Sequence, residues 1–165
     1  MRLARDIAHA APRVVVCLGD SFDDLAAAQA ISDDDKMLLT RLQAGRKWIW
    51  IEGNHDPGPV DLGGTHLSEY TIRTLTFRHI AQAGAAGEIS GHYHPKATLP
   101  TRARAISRAA FLVDAARIIM PAYGTYTGGL RSDSAVLSAL MDDTAVAIMT
   151  GPKPVQVPMP RRATA

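Results

Sequence analysis

Short apolar runs alternate with polar, helix-like stretches along the first third of the chain. The runs at 13–19 (RVVVCLG) and 47–56 (KWIWIEGNHD) are rich in β-branched or aromatic residues and lead into glycine-marked turns. Both predict buried strands, and the first is expected to be central in its sheet. Between them, 23–31 is alanine-rich, and 32–45 opens with Ser32 and three aspartates, which is typical of a capped helix. This strand–helix–strand order predicts an α/β fold.

The middle of the chain changes to short strand-like pieces separated by turn residues. A further helix is expected at 132–143, capped by Ser132 or Asp133 and followed by a last strand. The end of the chain, 152–165, is rich in proline and closes on basic residues, which predicts a loose tail. The chain is therefore expected to form one domain over 1–151, followed by that tail.

Composition narrows the class of protein without naming a partner. The chain has 165 residues, of which 47% are hydrophobic and 21% charged, as in ordinary soluble domains. Its one cysteine, Cys17, excludes an internal disulfide and fits a reducing, cytoplasmic location. No apolar run approaches the ~18 residues that a membrane span needs, so no membrane partner is expected. A net charge of +2 permits a nucleic-acid partner without arguing for one.

Candidate metal ligands follow four of the predicted strands. Loops at the carboxyl ends of strands meet at one edge of an α/β sheet, so these side chains can converge. They offer oxygen and nitrogen atoms, a set that suits manganese, iron or zinc. Alternate residues of an extended segment point the same way, so the two histidines of SGHYHP are expected to face one metal or metal pair. The candidates are Asp20 in LGDSFDD, Asn54, His55 and Asp56 in EGNHDP, His79 in FRH, and His92 and His94 in SGHYHP.

The order GD…GNHD…H…GHYH resembles the calcineurin-like metallophosphoesterases. The longer strings GHYHPKA and MPAYGTYTGGL resemble their subgroup of ligase-associated DNA damage response endonucleases, also called PdeM-like phosphoesterases. The resemblance runs from about Pro12 to about Gly151. It implies an α/β sandwich in α/β/β/α layers and a metal-dependent phosphodiesterase that acts on nucleic acid in DNA repair. It also implies a functional link to a DNA ligase and a helicase.

The resemblance further implies a role for each candidate residue. A bridging carboxylate, Asp20, would be shared by two divalent cations, manganese first, with iron or zinc as the other choices. His55, assisted by Asp56, would stay off the metal and stabilise or protonate the leaving oxygen. Two cations about 3.5–4 Å apart can hold a hydroxide and flank a phosphate for in-line attack. The remaining ligands would be His94 for the first cation, and Asn54, His79 and His92 for the second.

One block of the family pattern, a D-x-H motif upstream of GD, has no counterpart in the sequence. The nineteen residues before Asp20 contain only Asp6 and His9, which are spaced D-x-x-H in a helix-like segment. The chain is therefore expected to be N-terminally shortened, with the first metal site reduced to Asp20 and His94. Two alternatives stay open: a phosphodiesterase for small substrates, and a catalytically impaired domain that binds a single metal.

Other residues have ordinary interpretations. Arg102, Arg104 and Arg108 could contact phosphate, but no aromatic residue is interleaved with them, which favours a solvated strand face. The loop 123–129 (YGTYTGG) could close over the site or form a flexible turn. The two tryptophans of KWIWI are expected to pack in the core.

Overall fold

The computed structural model describes residues 2–59, 61–124 and 128–159 and has a mixed α/β fold with two sheets. The chain divides into two compact units, Met1–Tyr70 and Thr71–Ala165. No helix in the described part is long and apolar enough to cross a membrane. The helices are α1 (Arg2–Ala10), α2 (Leu25–Gln29), α3 (Asp33–Gln43) and α4 (Ala135–Leu140). The strands are β1 (Val14–Cys17), β2 (Lys47–Ile51), β3 (Thr65–Leu67), β4 (Glu69–Ile72), β5 (Leu75–Arg78), β6 (Glu88–Ser90), β7 (Lys96–Pro100), β8 (Ala105–Val113), β9 (Arg117–Ile119), β10 (Val146–Met149) and β11 (Val155–Pro158).

The first unit is built on a parallel three-stranded sheet in the order β1-β2-β3. Its middle strand β2 is apolar on both faces, as predicted, because parallel strands are covered on both sides. Trp48 and Trp50 pack together with a ring-centroid distance of 5.6 Å and form the core with Ile7 of α1 and Leu42 of α3. The prediction that the tryptophans belong to the core is confirmed.

Strand β1 differs from its prediction in one respect. The run at 13–19 does form a strand, but β1 lies at the edge of the three-stranded sheet, and all four of its residues are only half-buried. The prediction of a central position was wrong. An apolar β-branched run predicts a strand from local chemistry, whereas its place in the sheet depends on partners far away in the sequence.

The helices of the first unit follow their local signals. Helix α3 begins after Ser32, whose side chain accepts a hydrogen bond from the backbone N–H of Asp35, as the predicted cap requires. Helix α2 is shorter than its alanine-rich stretch and is capped by Asp24 in the same way. Both helices therefore start where a short polar side chain can satisfy a free N–H group.

The second unit contains a larger sheet in the order β11-β10-β8-β9-β6-β5-β4, with β7 paired to β8. The centre of this sheet, β5-β6-β9, is parallel. The carboxyl ends of β5 and β6 therefore lie at one edge, which brings together the residues that follow them. Helix α4 is capped by Ser134, so the predicted caps Ser132 and Asp133 were wrong by one or two residues.

The end of the chain is more ordered than predicted. Residues 155–158 form β11, which pairs antiparallel with β10, and Met159 after it is 4% exposed and packs in the core. The prediction of a loose tail was wrong for this stretch, because valines spaced two apart can pair with a sheet edge despite the neighbouring prolines. The last residues, 160–165, lie outside the described part of the chain.

Candidate metal centre

Asp20 lies in the loop that follows β1 and has a backbone conformation that favours glycine. Its φ is 47°, and Gly19 before it has a φ of 85°. A left-handed conformation costs a residue that has a Cβ atom roughly 1–2 kcal/mol. Such residues persist where the surrounding structure holds them, and they cluster at functional sites.

The buried carboxylate of Asp56 provides that hold. The residue is 8% exposed, and its Oδ1 accepts hydrogen bonds from the backbone N–H groups of Asp20 at 2.9 Å and Gly53 at 3.0 Å. Its Oδ2 accepts a third bond from the N–H of Ser21 at 2.8 Å. Hydrogen bonds to an ionised acceptor are the strong ones. One side chain from the loop after β2 thus fixes the backbone of the loop after β1.

Gly53 makes this close approach of the two loops feasible. A Cβ atom at this position would collide with the backbone nitrogen and carboxylate of Asp20 and with the carboxylate of Asp56. The glycine of the GNHD string is therefore required by packing against the neighbouring loop. The sequence marked it only as a turn residue.

Asn54 and His55 are both exposed and continue the same loop. The backbone N–H of His55 donates to Asp20 Oδ1 at 3.0 Å, so the structure brings Asp20, His55 and Asp56 together within the first unit. The hydrogen bonds described above for Asp56 all come from backbone N–H groups. Its expected assistance to the His55 ring stays a prediction, as does the expected ligand role of Asn54.

Cys17, the last residue of β1, is unreactive at neutral pH because desolvation keeps its thiol protonated. Desolvation raises the pKa of Cys17 to about 12, and the negative charge of Asp56 adds to the effect. The thiol therefore stays protonated in the folded protein and behaves as a small packed residue.

His79 and His92 meet in the second unit, at the ends of β5 and β6. His79 is 5% exposed and His92 is half-buried, and the distance from His92 Nδ1 to His79 Nε2 is 3.0 Å. The backbone N–H of Gly91 also donates to the carbonyl oxygen of His79 at 3.0 Å, which ties the two turns together. Two nitrogens that each bind a shared ion at about 2.1 Å, at a right angle, would lie about 3 Å apart. The spacing of the pair thus fits a hydrogen bond between the rings and also two ligands of one cation.

The turn that carries His92 and His94 is not extended. His92 has a φ of 63° and His94 a φ of 45°, and the N–H of Tyr93 donates to the carbonyl of Gly91 at 2.7 Å. The sequence predicted that His92 and His94 point the same way because they lie two apart on an extended segment. The segment is not extended, so the reason for that prediction was wrong. Histidine is one of the few residue types enriched in this conformation. Among the described residues, His94 does not join His79 and His92 in a group of mutually close ligand atoms.

A later segment of the chain supports the histidine turn. The N–H of Leu130 donates to the carbonyl of Tyr93 at 2.9 Å. Gly129 has a φ of 130°, and a Cβ atom there would collide with the carbonyl oxygen of His94. This glycine, from the predicted loop 123–129, therefore lies directly against the turn. Residues 125–127 of that loop lie outside the described part of the chain.

A buried ionic cluster lies behind the histidines, and the sequence did not indicate it. Glu88 is 2% exposed; its Oε1 lies 3.1 Å from Arg117 Nη1 and its Oε2 lies 3.6 Å from Arg78 Nε. Burial, followed by the charge of Glu88, raises the pKa of Tyr93 above its usual range. The sequence signal that could have indicated this cluster is a single charged residue in each of two short apolar segments, Glu88 in GEIS and Arg117 in ARII. The cluster anchors β6, the strand that leads to His92.

Comparison with solved structures gives an informative likeness. No family model matches the chain, and no curated protein matches it. The chain is similar to the crystal structure of Pseudomonas putida nuclease MPE, with 25% sequence identity and a TM-score of 0.72 over 90% of this chain and 72% of that one. The likeness supports a metallophosphoesterase-like nuclease fold, while the ligase-associated subgroup stays a prediction. The predicted α/β metallophosphoesterase fold is confirmed.

Proposed function

We propose that this protein is a divalent-metal-dependent nuclease that hydrolyses phosphodiester bonds. The observation that carries the proposal is the His79–His92 pair, whose ring nitrogens are 3.0 Å apart at the ends of two parallel strands. The likeness to a nuclease, at 25% identity, supports the same reaction class.

His79 and His92 are proposed to hold the cation, and Asp20 is proposed as a further ligand on the family resemblance. One carboxylate and two imidazoles form a mixed oxygen and nitrogen set, which fits manganese, iron or zinc better than calcium or magnesium. Bound there, the cation would act as a Lewis acid on a phosphoryl oxygen and make a bound water more acidic. Asn54 is proposed as a further ligand. His94, which stands apart from the group, is proposed as a ligand of a second cation.

The residues around the cation have separate tasks in this proposal. Asp56 holds the Asp20 backbone through two N–H groups and so orients a ligand without touching the substrate. His55 is exposed and linked through its N–H to Asp20 Oδ1, a position from which an imidazole can stabilise the leaving oxygen or deliver a proton to it. A role in DNA repair, with a DNA ligase and a helicase as functional partners, rests on the subgroup resemblance.

A second candidate function is a domain that binds a single metal without turnover. The observation that favours it is that, among the described residues, His94 does not join His79 and His92 in a group of mutually close ligand atoms. A one-metal centre lacks the second cation that would flank the phosphate in a two-metal mechanism. A third candidate function is hydrolysis of small phosphodiesters. An assay distinguishes it from the nuclease because such an enzyme would not bind nucleic acid.

The test is hydrolysis of bis(p-nitrophenyl) phosphate in the presence of Mn²⁺, with His92→Gly as the variant. Glycine adopts the left-handed conformation of residue 92 without steric cost, so the change removes the imidazole and leaves the turn unstrained. His9→Ala, an exposed histidine on α1, is the matched control.

Turnover by the wild type and the control, together with its loss in His92→Gly, is the expected result. Mn²⁺ binding without turnover in the wild type would select the single-metal domain. Equal turnover in His92→Gly would overturn the proposed centre.

A further inference from the structure

The two compact units differ sharply in charge. Met1–Tyr70 contains seven basic and eleven acidic residues, a net charge of −4, whereas Thr71–Ala165 contains eleven basic and five acidic residues, a net charge of +6. The overall charge of +2 conceals this difference. A basic unit within a nearly neutral chain is the pattern expected when one part of a protein meets a polyanion.

The positive charge of the second unit is concentrated in one hairpin. Residues 89–113 contain four basic residues and no acidic one. They include the antiparallel pair β7 and β8, whose four-residue turn 101–104 is closed by a hydrogen bond from the N–H of Thr101 to the carbonyl of Arg104 at 3.1 Å. The hairpin has a defined geometry, so its side chains are presented from a fixed backbone.

The arginines of this hairpin face solvent and are not engaged with acidic groups. Arg102, Arg104 and Arg108 are all exposed. Within residues 2–59, 61–124 and 128–159, no ion pair involves any of the three. By contrast, Arg117 is buried against Glu88, and Arg131 pairs with Asp133 at 2.7 Å. The guanidinium groups of the hairpin are therefore available to an external anion.

The guanidinium of Arg108 lies against the backbone of the adjoining turn at Gly151. A Cβ atom at Gly151 would lie 2.6 Å from Arg108 Nη1, so the glycine leaves room for the guanidinium beside the backbone. Long cationic side chains lose rotamer entropy when they bind, and partial restriction before binding lowers that cost.

The hairpin starts directly at the histidine turn. Strand β7 begins at Lys96, two residues after His94, and runs for five residues to the exposed tip. Five strand residues span about 16 Å. That length corresponds to about five base pairs of duplex at 3.4 Å each. A chain cleaved near His92 could therefore continue along the hairpin, which a small phosphodiester could not do.

We propose that the β7–β8 hairpin binds the phosphate backbone of a nucleic-acid strand through Arg102, Arg104 and Arg108. The inference rests on the proposed function, because it assigns the substrate of that centre. Arginine pairs well with phosphate, and no aromatic residue on which bases could stack lies between Arg102 and Arg108. The contact is therefore to the backbone and independent of sequence, and it serves single and double strands alike.

The test compares a triple variant, Arg102→Ala, Arg104→Ala and Arg108→Ala, with the wild type. Binding of fluorescently labelled single-stranded and duplex DNA is measured by anisotropy in EDTA between 50 and 200 mM salt, so that the strand is not cleaved. Hydrolysis of bis(p-nitrophenyl) phosphate with Mn²⁺ is measured in parallel. The matched control replaces three exposed arginines of the first unit, Arg2, Arg5 and Arg41, with alanine. Both triple variants lose three positive charges.

Loss of three phosphate contacts is expected to make the slope of log K against log salt shallower by about 2 on single strands and by about 2.7 on duplex. Hydrolysis of the small substrate should be unchanged, and the control should bind DNA as the wild type does. An unchanged salt slope in the hairpin variant would overturn the inference, and so would an equal loss in the control. Absence of small-substrate hydrolysis in the wild type would instead contradict the proposed function.

Discussion

At the scale of single residues, the candidate site is held together by backbone groups as much as by side chains. Asp20, His92 and His94 are three of the five non-glycine residues that have a positive φ in the described part of the chain. Each such conformation costs free energy, which other contacts must offset. For Asp20 the contact is with Asp56. For the histidine turn it is the pairing of Tyr93 with Leu130.

Asp56→Asn is expected to lower the free energy of unfolding by about 2–4 kcal/mol, measured by urea denaturation in EDTA. The amide has one acceptor oxygen and one NH₂ group, so at least one of the N–H groups of Asp20, Ser21 and Gly53 would face another donor. Asp61→Asn, at an exposed position, is the control and is expected to cost less than about 0.5 kcal/mol. Equal effects of the two changes would contradict the role given to Asp56.

At the scale of elements, local chemistry predicted which segments are helices and strands, and it failed where distant partners decide. The apolar run of β2 and the Ser32 cap of α3 were confirmed because their signals are local. The edge position of β1 depends on the arrangement of the whole sheet. The left-handed histidine turn depends on a hydrogen bond from Leu130, some forty residues away in the chain, and no pattern near His92 indicates it.

The contribution of the end of the chain to the core of the second unit can be tested at Met159, which follows strand β11. Met159 is 4% exposed, packs in the core of the second unit and donates its N–H to the carbonyl of Ala145 at 3.0 Å. Met159→Ala is expected to reduce the free energy of unfolding by about 2–5 kcal/mol, because it leaves a cavity in that core. Val155→Ala, at a side chain 42% exposed on the same strand, should cost much less. A small effect of Met159→Ala would show that the end of the chain contributes little to the core.

At the scale of the whole molecule, each compact unit holds its own candidate residues: Asp20 and Asp56 lie in the first, and His79 and His92 in the second. The strings GD, GNHD, FRH and GHYH indicated these residues from the sequence, because each lies where a strand ends. The sequence did not indicate how each loop holds its ligand, since the hydrogen bonds of Asp56 and the buried Glu88 cluster involve segments far apart in the chain.

Metal binding should therefore stabilise the folded protein in a way that depends on His92. A cation that binds only the folded state adds about 2.7 kcal/mol at a hundred times its dissociation constant. Mn²⁺ is expected to raise the free energy of unfolding by that order in the wild type and in His9→Ala, measured by urea denaturation against EDTA. In His92→Gly the increment should vanish, and stability in EDTA should fall only modestly, because relief of the φ of 63° offsets part of the lost contact between the imidazole and His79. An increment that survives in His92→Gly would place the cation elsewhere. A large loss in EDTA would mean that the imidazole stabilises the turn by packing.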